Sequence, residues 1–428
     1  MVNAFPKSKA AVLFACVVAA LLACACLTFA SPLNAYATTL RSGDIEVASE
    51  GNCILGLDGT FSSAGKEAVL KRINEIRWEA CKEGVPNPSK PSQPLTEADY
   101  IPMKWSSSLE KIAQTRAAEG SICMGHTRPN GTSWSSVKGD GYVSSYGENL
   151  AWNYAGMLQG IEQWYEEKSD WVKQSSTAVT GHYTSLIRPR FTHIGLGTFA
   201  PAQGGWACTA GEFYPAYAGE QVDEAEIGVQ GDYRQAIEVP QNNIVGLTVS
   251  GPNNMAGSVQ KTYSAQVAAR FADAFGGSSD VTLAPMNAVS WTSDNSLIVS
   301  IDASGQATPM ACGVATLTAT CLGKSAFLQV TVSPEGIPLK KLAAKKKAIK
   351  VTWAKQAAFA KGYQIRYSLK KSMKSSKTVK VKSAKKKTVT IKKLKSKKRY
   401  YVQIRSFAKV GGKTYYSAWS AKKSVKVK

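Results

Sequence analysis

The sequence predicts a multidomain chain, an α+β domain followed by two all-β sandwich domains. Three observations carry that prediction. Between residues 65 and 215, three segments repeat apolar side chains at helical spacing and two more alternate like strands. From about Asn243 the helical period disappears into short runs of strand formers separated by turn residues. In the C-terminal segment, valines alternate with lysines, so the charge decorates strands and does not abolish them.

The chain starts with Lys7 and Lys9, an apolar run from Ala10 to Ala30, Pro32, and the small-residue triplet Ala35-Tyr36-Ala37. That order describes a secretory signal peptide over 1–37, cleaved after Ala37. The run is also long enough to cross a bilayer, so an uncleaved anchor is the alternative. No second run of membrane length follows. The mature chain is expected to be secreted, extracellular or cell-envelope associated, with no transmembrane span after cleavage.

Residues 38–64 read as an N-terminal segment ahead of the first domain, 65–215. In KEAVLKRINEIRWEACKEG, Val69, Ile73, Ile76 and Ala80 share a helix face, and Gly84 stops the helix. In SSLEKIAQTRAAEG, Ser107 or Ser108 is the expected N-cap, with Leu109, Ile112, Ala113 and Arg116 on one side. GMLQGIEQWYEEKSDW reads as one helix that buries Met157, Ile161, Trp164 and Trp171. THIGLGTFA and WACTAGEFY read as strands. Residues 216–242 read as a linker, 243–333 as one β-sandwich, and 334–428 as a second.

Charge separates these segments. From Gly336 onward there are 31 of the 53 Lys and Arg residues and no Asp or Glu, so all 30 acids lie before it. Such a surface binds polyanions by counterion release. It lacks a nucleic-acid motif and an arginine bias for base readout, so an anionic cell-wall polymer or envelope surface is the expected partner of 336–428, and no specific nucleic acid. Six cysteines lie beyond the signal, and their pairing stays open. Cys312 and Cys321 bracket one strand about 30 Å long, too far for a mutual disulfide.

The chain has three histidines, and one of them opens the turn HTRPNG at His126. Three further stretches stand out: YGENLAW around Glu148, WYEEKSDW around Glu167, and TGHYTSLIRP around His182. On a continuous helix Glu167 would lie about 60° from Trp164, beside the buried stripe, with Glu162 and Glu166 on the solvent side. In order and content the four stretches resemble the CAP superfamily, named for cysteine-rich secretory proteins, antigen 5 and pathogenesis-related proteins, and bacterial SCP-like members in particular. The resemblance implies an α-β-α sandwich whose cleft is lined by His126, Glu148, Glu167 and His182. It also implies a divalent cation such as zinc on His126 and His182. VSWTSDNSLIVSIDASGQATPMACGVATLTAT resembles a bacterial Ig-like module. The last segment, with Trp353, GYQIRYS and SAWS, resembles a lysine-rich fibronectin type III module.

The expectation for function is a secreted or cell-surface protein whose His/Glu cleft binds a cation and a small ligand, without turnover. One alternative is a metal-assisted hydrolase of peptide or glycan, with Glu148 or Glu167 as base. Another is an adhesion protein with a vestigial cleft. No Ser or Cys is placed as a nucleophile with a His and an orienting acid, and Cys123 is read as structural. His193, which starts a strand, is read as structural too. Tyr146, Trp152 and Tyr183 flank the motifs as cleft walls or core.

Overall fold

The computed structural model describes residues 39–153, 156–273, 277–354 and 357–428; the signal-peptide reading of 1–37 lies outside the described residues. Helix α1 (Lys66–Glu83) buries Val69, Ile73, Ile76 and Ala80, the stripe its sequence predicts. Gly84 ends it in the left-handed region at φ 65°, where its N–H reaches the carbonyls of Ala80 and Cys81. Helix α2 (Ser107–Gly120) is capped one residue earlier than the sequence suggests, by Ser106, whose hydroxyl accepts the Leu109 N–H.

The third helical segment is broken. Helix α3 (Met157–Tyr165) stops at Glu166, and α4 (Lys168–Val172) starts after Glu167. Trp171 is therefore only partly buried, its indole N–H donating to the Pro86 carbonyl at 2.8 Å. The break frees the Glu167 carboxylate for the first turn of α5 (Gly181–Ile187).

The long strands are β1 (Asn52–Ser62), β2 (Gly147–Asn153), β3 (His193–Pro201), β4 (Ala207–Tyr214), β5 (Gly231–Pro240), β6 (Ile244–Ser250), β7 (Ser264–Ala272) and β8 (Ser278–Pro285). They form one sheet in the order β6-β7-β8-β1-β3-β4-β2, with β5 also on β1. Strand β2 is the free end of that order. Helix α2 lies on one face at van der Waals range. A Cβ at Gly195 would sit 2.1 Å from the Glu110 nitrogen, and one at Gly197 would sit 2.6 Å from the Gln114 Cα. The glycines of THIGLG thus let a helix and a strand backbone touch.

Three boundaries differ from those the sequence predicts, the first because 38–64, read as lying ahead of the first domain, supplies β1 in the middle of its sheet. The stretch read as a linker contains β5, which pairs with β1 from Asn52–Pro240 to Phe61–Gly231. Its residues 235–239 are buried on both faces, so the alternation that marks a strand is absent. Just before it, the N–H groups of Ile227 and Gly228 donate to the buried Glu110 carboxylate at 2.8 and 2.7 Å. The 243–333 segment is all-β as expected, yet its first long strands continue the sheet of the preceding domain. Strand β8 joins β1 at Ala284–Gly56 and Pro285–Leu55. Leu55, Leu57 and Phe199 share one apolar cluster with Val267, Phe271 and Leu283.

The rest of that segment forms two small sheets, including the hairpin of β9 (Gly313–Cys321) and β10 (Lys324–Ser333). The C-terminal segment has a core of its own. Trp353, Tyr363, Ile365, Val402 and Ile404 meet between β11 (Ala348–Trp353), β12 (Gly362–Ser368) and β13 (Arg399–Val410). Val381 is buried while Lys380 and Lys382 face solvent. On the outer face of this segment, Arg405 lies over Tyr416 and Trp419, and Arg366 over Trp419. Among the described residues no helix is long and apolar enough to cross a membrane.

Candidate functional site

The four predicted residues form two His–Glu pairs, and β2 lies between them. Successive strand residues face opposite sides, so Glu148 and Asn149 address different layers. On one side, His126 Nδ1 and Glu148 Oε1 are 2.7 Å apart. On the other, His182 Nδ1 and Glu167 Oε1 are 2.5 Å apart. Asn149 links them by donating from Nδ2 to the His182 carbonyl at 2.9 Å. Asn149 thus ties the second pair to the strand that carries Glu148. His126 is half exposed, whereas the Glu148 side chain is fully buried.

Each carboxylate is fixed by further donors. Arg116 projects from α2 and donates from Nε to Glu148 Oε2 at 2.6 Å and from Nη1 to Glu119 Oε2 at 2.6 Å. Its Nη2 donates to the Gly125 carbonyl, which sets the start of the His126 turn. Arg128, inside the turn, bonds Glu119 on one side and Asp44 on the other. Asn130 donates to Glu238 of β5 at 2.7 Å. Glu167 Oε2 accepts the backbone N–H groups of His182 and Tyr183 at 2.9 and 3.0 Å, satisfying the free first turn of α5.

This arrangement fixes the imidazole tautomer. Burial opposes ionisation of Glu148, but the His126 hydrogen bond and the Arg116 guanidinium outweigh it and hold the carboxyl below the usual range. An ionised carboxylate only accepts, so Nδ1 of neutral His126 carries the proton and Nε2 presents its lone pair. Glu167, already accepting two N–H groups, orients His182 in the same way. A carboxylate behind Nδ1 is the outer-shell partner of metal-binding histidines. The set does not, however, fit a closed structural zinc centre, which takes four protein ligands. Among the described residues, no three His, Cys, Asp or Glu side chains converge on one ion position. The two carboxylates act as hydrogen-bond acceptors, leaving two imidazole nitrogens as the available donor atoms.

Sequence reasoning missed several of the residues that build the site. Arg116 carried a signal, as an arginine on the apolar stripe of α2. Glu119, Asn149 and Glu212 carried none. Glu212 of β4 sits directly opposite Glu148 in the ladder, fully buried. Burial first, and then the Glu148 charge, push its carboxyl well above the usual range. His193 is buried at the start of β3 with Nδ1 against the Thr192 hydroxyl, in keeping with a structural role. Tyr183 is core, Trp152 donates to the Gly120 carbonyl, and Tyr146 is exposed.

Comparison with known proteins matches two families to two stretches of the chain. The cysteine-rich secretory protein family, CAP, matches residues 70–209, and the fibronectin type III domain matches residues 333–422. The chain carries a CAP domain and a fibronectin type III domain. The CAP region is similar to Repressed by EFG1 protein 1 of Candida albicans, at 31% identity over 26% of this chain and 38% of that protein. It is also similar to venom allergen 5.02 of Dolichovespula maculata, at 27% identity over 34% of this chain and 67% of that protein. The chain thus spans well under half of the Candida relative and about two thirds of the wasp one. The fibronectin region is similar to the fn3 domain of human collagen alpha-1(XX), at 17% identity over 22% of this chain and 83% of that chain, with a TM-score of 0.18.

Proposed function

We propose that the CAP domain is a binding module of an exported protein, in which His126 and His182 present Nε2 to a ligand at the β2 edge. The observation that carries this reading is the saturation of both carboxylates. Glu148 is spoken for by Arg116 and His126, and Glu167 by two backbone N–H groups and His182. A general base must be free to take a proton near neutral pH, and Glu148 is held in the opposite direction. Both carboxylates named as bases are already held by donors, which weighs against the hydrolase alternative. A divalent cation such as zinc would rest on the two imidazoles alone, with its other positions filled by water or ligand oxygens, so it binds exchangeably.

The test is zinc titration of the full chain by calorimetry, run beside screens for peptide and glycan cleavage. Zinc uptake is expected in the native protein and not in His126→Ala with His182→Ala. Equal uptake by both rules out the two imidazoles as cation ligands. Cleavage that Glu167→Gln abolishes would replace binding by hydrolysis.

The basic segment supplies the second half of the proposal. Its lysines hold the protein at an anionic envelope polymer. Washing isolated envelopes with rising salt is expected to release the protein, and deleting 334–428 to abolish retention. Retention that is indifferent to both would remove the electrostatic tether.

A further inference from the structure

From Gly336 onward the chain holds 28 lysines and three arginines, with no Asp or Glu. Two of those arginines stand together on one face of a sheet. Along β12 and β13, Tyr363, Ile365, Val402 and Ile404 point into the core, so Gln364, Arg366, Gln403 and Arg405 point outward. The ladder sets Arg366 opposite Gln403 and Arg405 opposite Gln364, and each guanidinium is tied to the amide across from it. Arg366 donates from Nε and Nη2 to Gln403 Oε1 at 3.0 and 2.6 Å, and Arg405 from Nε to Gln364 Oε1 at 2.8 Å. Both also lie over the ring of Trp419, at 4.3 and 4.4 Å from its centroid, and Arg405 lies over Tyr416 at 3.7 Å. Trp419 is placed by its neighbour Ser420, whose carbonyl accepts from Gln403 Nε2 at 2.6 Å and whose N–H donates to the Ile404 carbonyl at 2.8 Å.

Stacking and the amide bonds fix both forks before any ligand arrives. They leave Nη1 of Arg366 and both Nη atoms of Arg405 without a protein acceptor among the described residues, and none of those atoms is buried. The two charges share one indole, and the segment that carries them has no carboxylate side chain to offset either. Fixed like charges with open donors are complementary to an anion that carries repeated oxygens. We infer that Arg366 and Arg405, clamped on Trp419, are the site at which this segment takes phosphate groups of an anionic polymer, each open N–H edge donating to phosphate oxygens. A phosphate offers oxygens outside any one plane, so forks that cannot turn still meet it, whereas a carboxylate has to lie in the plane of the fork. The surrounding lysines, on flexible stems, supply long-range attraction without that geometry. The inference rests on the electrostatic tether proposed above and names the point of contact within it.

The test is calorimetric titration of the full chain with inorganic polyphosphate over a range of salt. Arg366→Lys with Arg405→Lys keeps both charges and removes both forks, and it is expected to bind at least about tenfold more weakly than the native chain, with the same salt dependence. Arg399→Lys, at the one arginine outside the pair, is expected to bind as the native chain does. The single variants Arg366→Lys and Arg405→Lys each keep one stacked fork. They are expected to fall between, and they carry the test if circular dichroism shows the double variant unfolded. Native affinity in the double variant, or an equal loss in Arg399→Lys, overturns the site. Tighter binding to polyglutamate than to polyphosphate of equal charge gives the forks to carboxylates and overturns the phosphate assignment, as does failure of the native chain to bind polyphosphate. The envelope wash judges the tether separately in every case.

Discussion

Arg116 is the residue on which the candidate site turns. Its side chain has no exposed surface, and it serves two carboxylates that are buried with it. Arg116→Met is expected to destabilise the fold by about 3–5 kcal/mol in denaturant titrations, because it leaves Glu148 an uncompensated buried charge. Arg116→Lys is expected to recover only part of that loss, since one ammonium cannot reproduce the fork that meets Glu148, Glu119 and the Gly125 carbonyl. A loss within a few tenths of a kcal/mol of native for the methionine variant would contradict this account. Legibility differed sharply among these side chains. His126, Glu148, Glu167 and His182 sit in recognisable local stretches, and Arg116 breaks an apolar stripe. Glu212 lies in a strand whose sequence reads as ordinary. Its meaning comes from Glu148 across the ladder, a partner 64 positions earlier, and no local pattern records that.

At the scale of elements, the helices with one buried face were readable because amphipathic periodicity is a local property. The break between α3 and α4 was not, since the partners of Glu167 at the break are N–H groups in the first turn of α5, which lies ahead in the chain. Strand β5 was missed because its centre is covered on both faces. That strand is also what anchors the His126 turn. Glu238 accepts from the Ser49 N–H and from the side-chain amides of Asn52 and Asn130. Burial opposes its charge, but these donors prevail and lower it from 4.5 to about 2. The folded value lies below the unfolded one, so this stabilisation is complete above pH 4.5 and drains away as pH falls toward about 2. Glu238→Gln is therefore expected to flatten the acid limb of a stability-against-pH curve over that window. An unchanged slope would dissociate the strand from acid sensitivity.

At the scale of the whole molecule, the family match at 70–209 is narrower than the folding unit. A fragment of residues 39–215 lacks β5, and with it the whole ladder along one side of β1, and it opens the apolar cluster that Leu55 and Phe199 share with Val267 and Leu283. It is expected to be insoluble or to melt without cooperativity, whereas residues 39–333 are expected to melt as one transition, as followed by circular dichroism. Cooperative melting of the shorter fragment would show that the cluster is dispensable. Ionic contacts extend just as far. From His126 they run through Glu148, Arg116, Glu119 and Arg128 to Asp44. Amino-terminal trimming past Asp44 would take a counter-charge from Arg128 and slacken the turn that aims the imidazole. A change at residue 44 would in this way reach His126 through four intervening side chains.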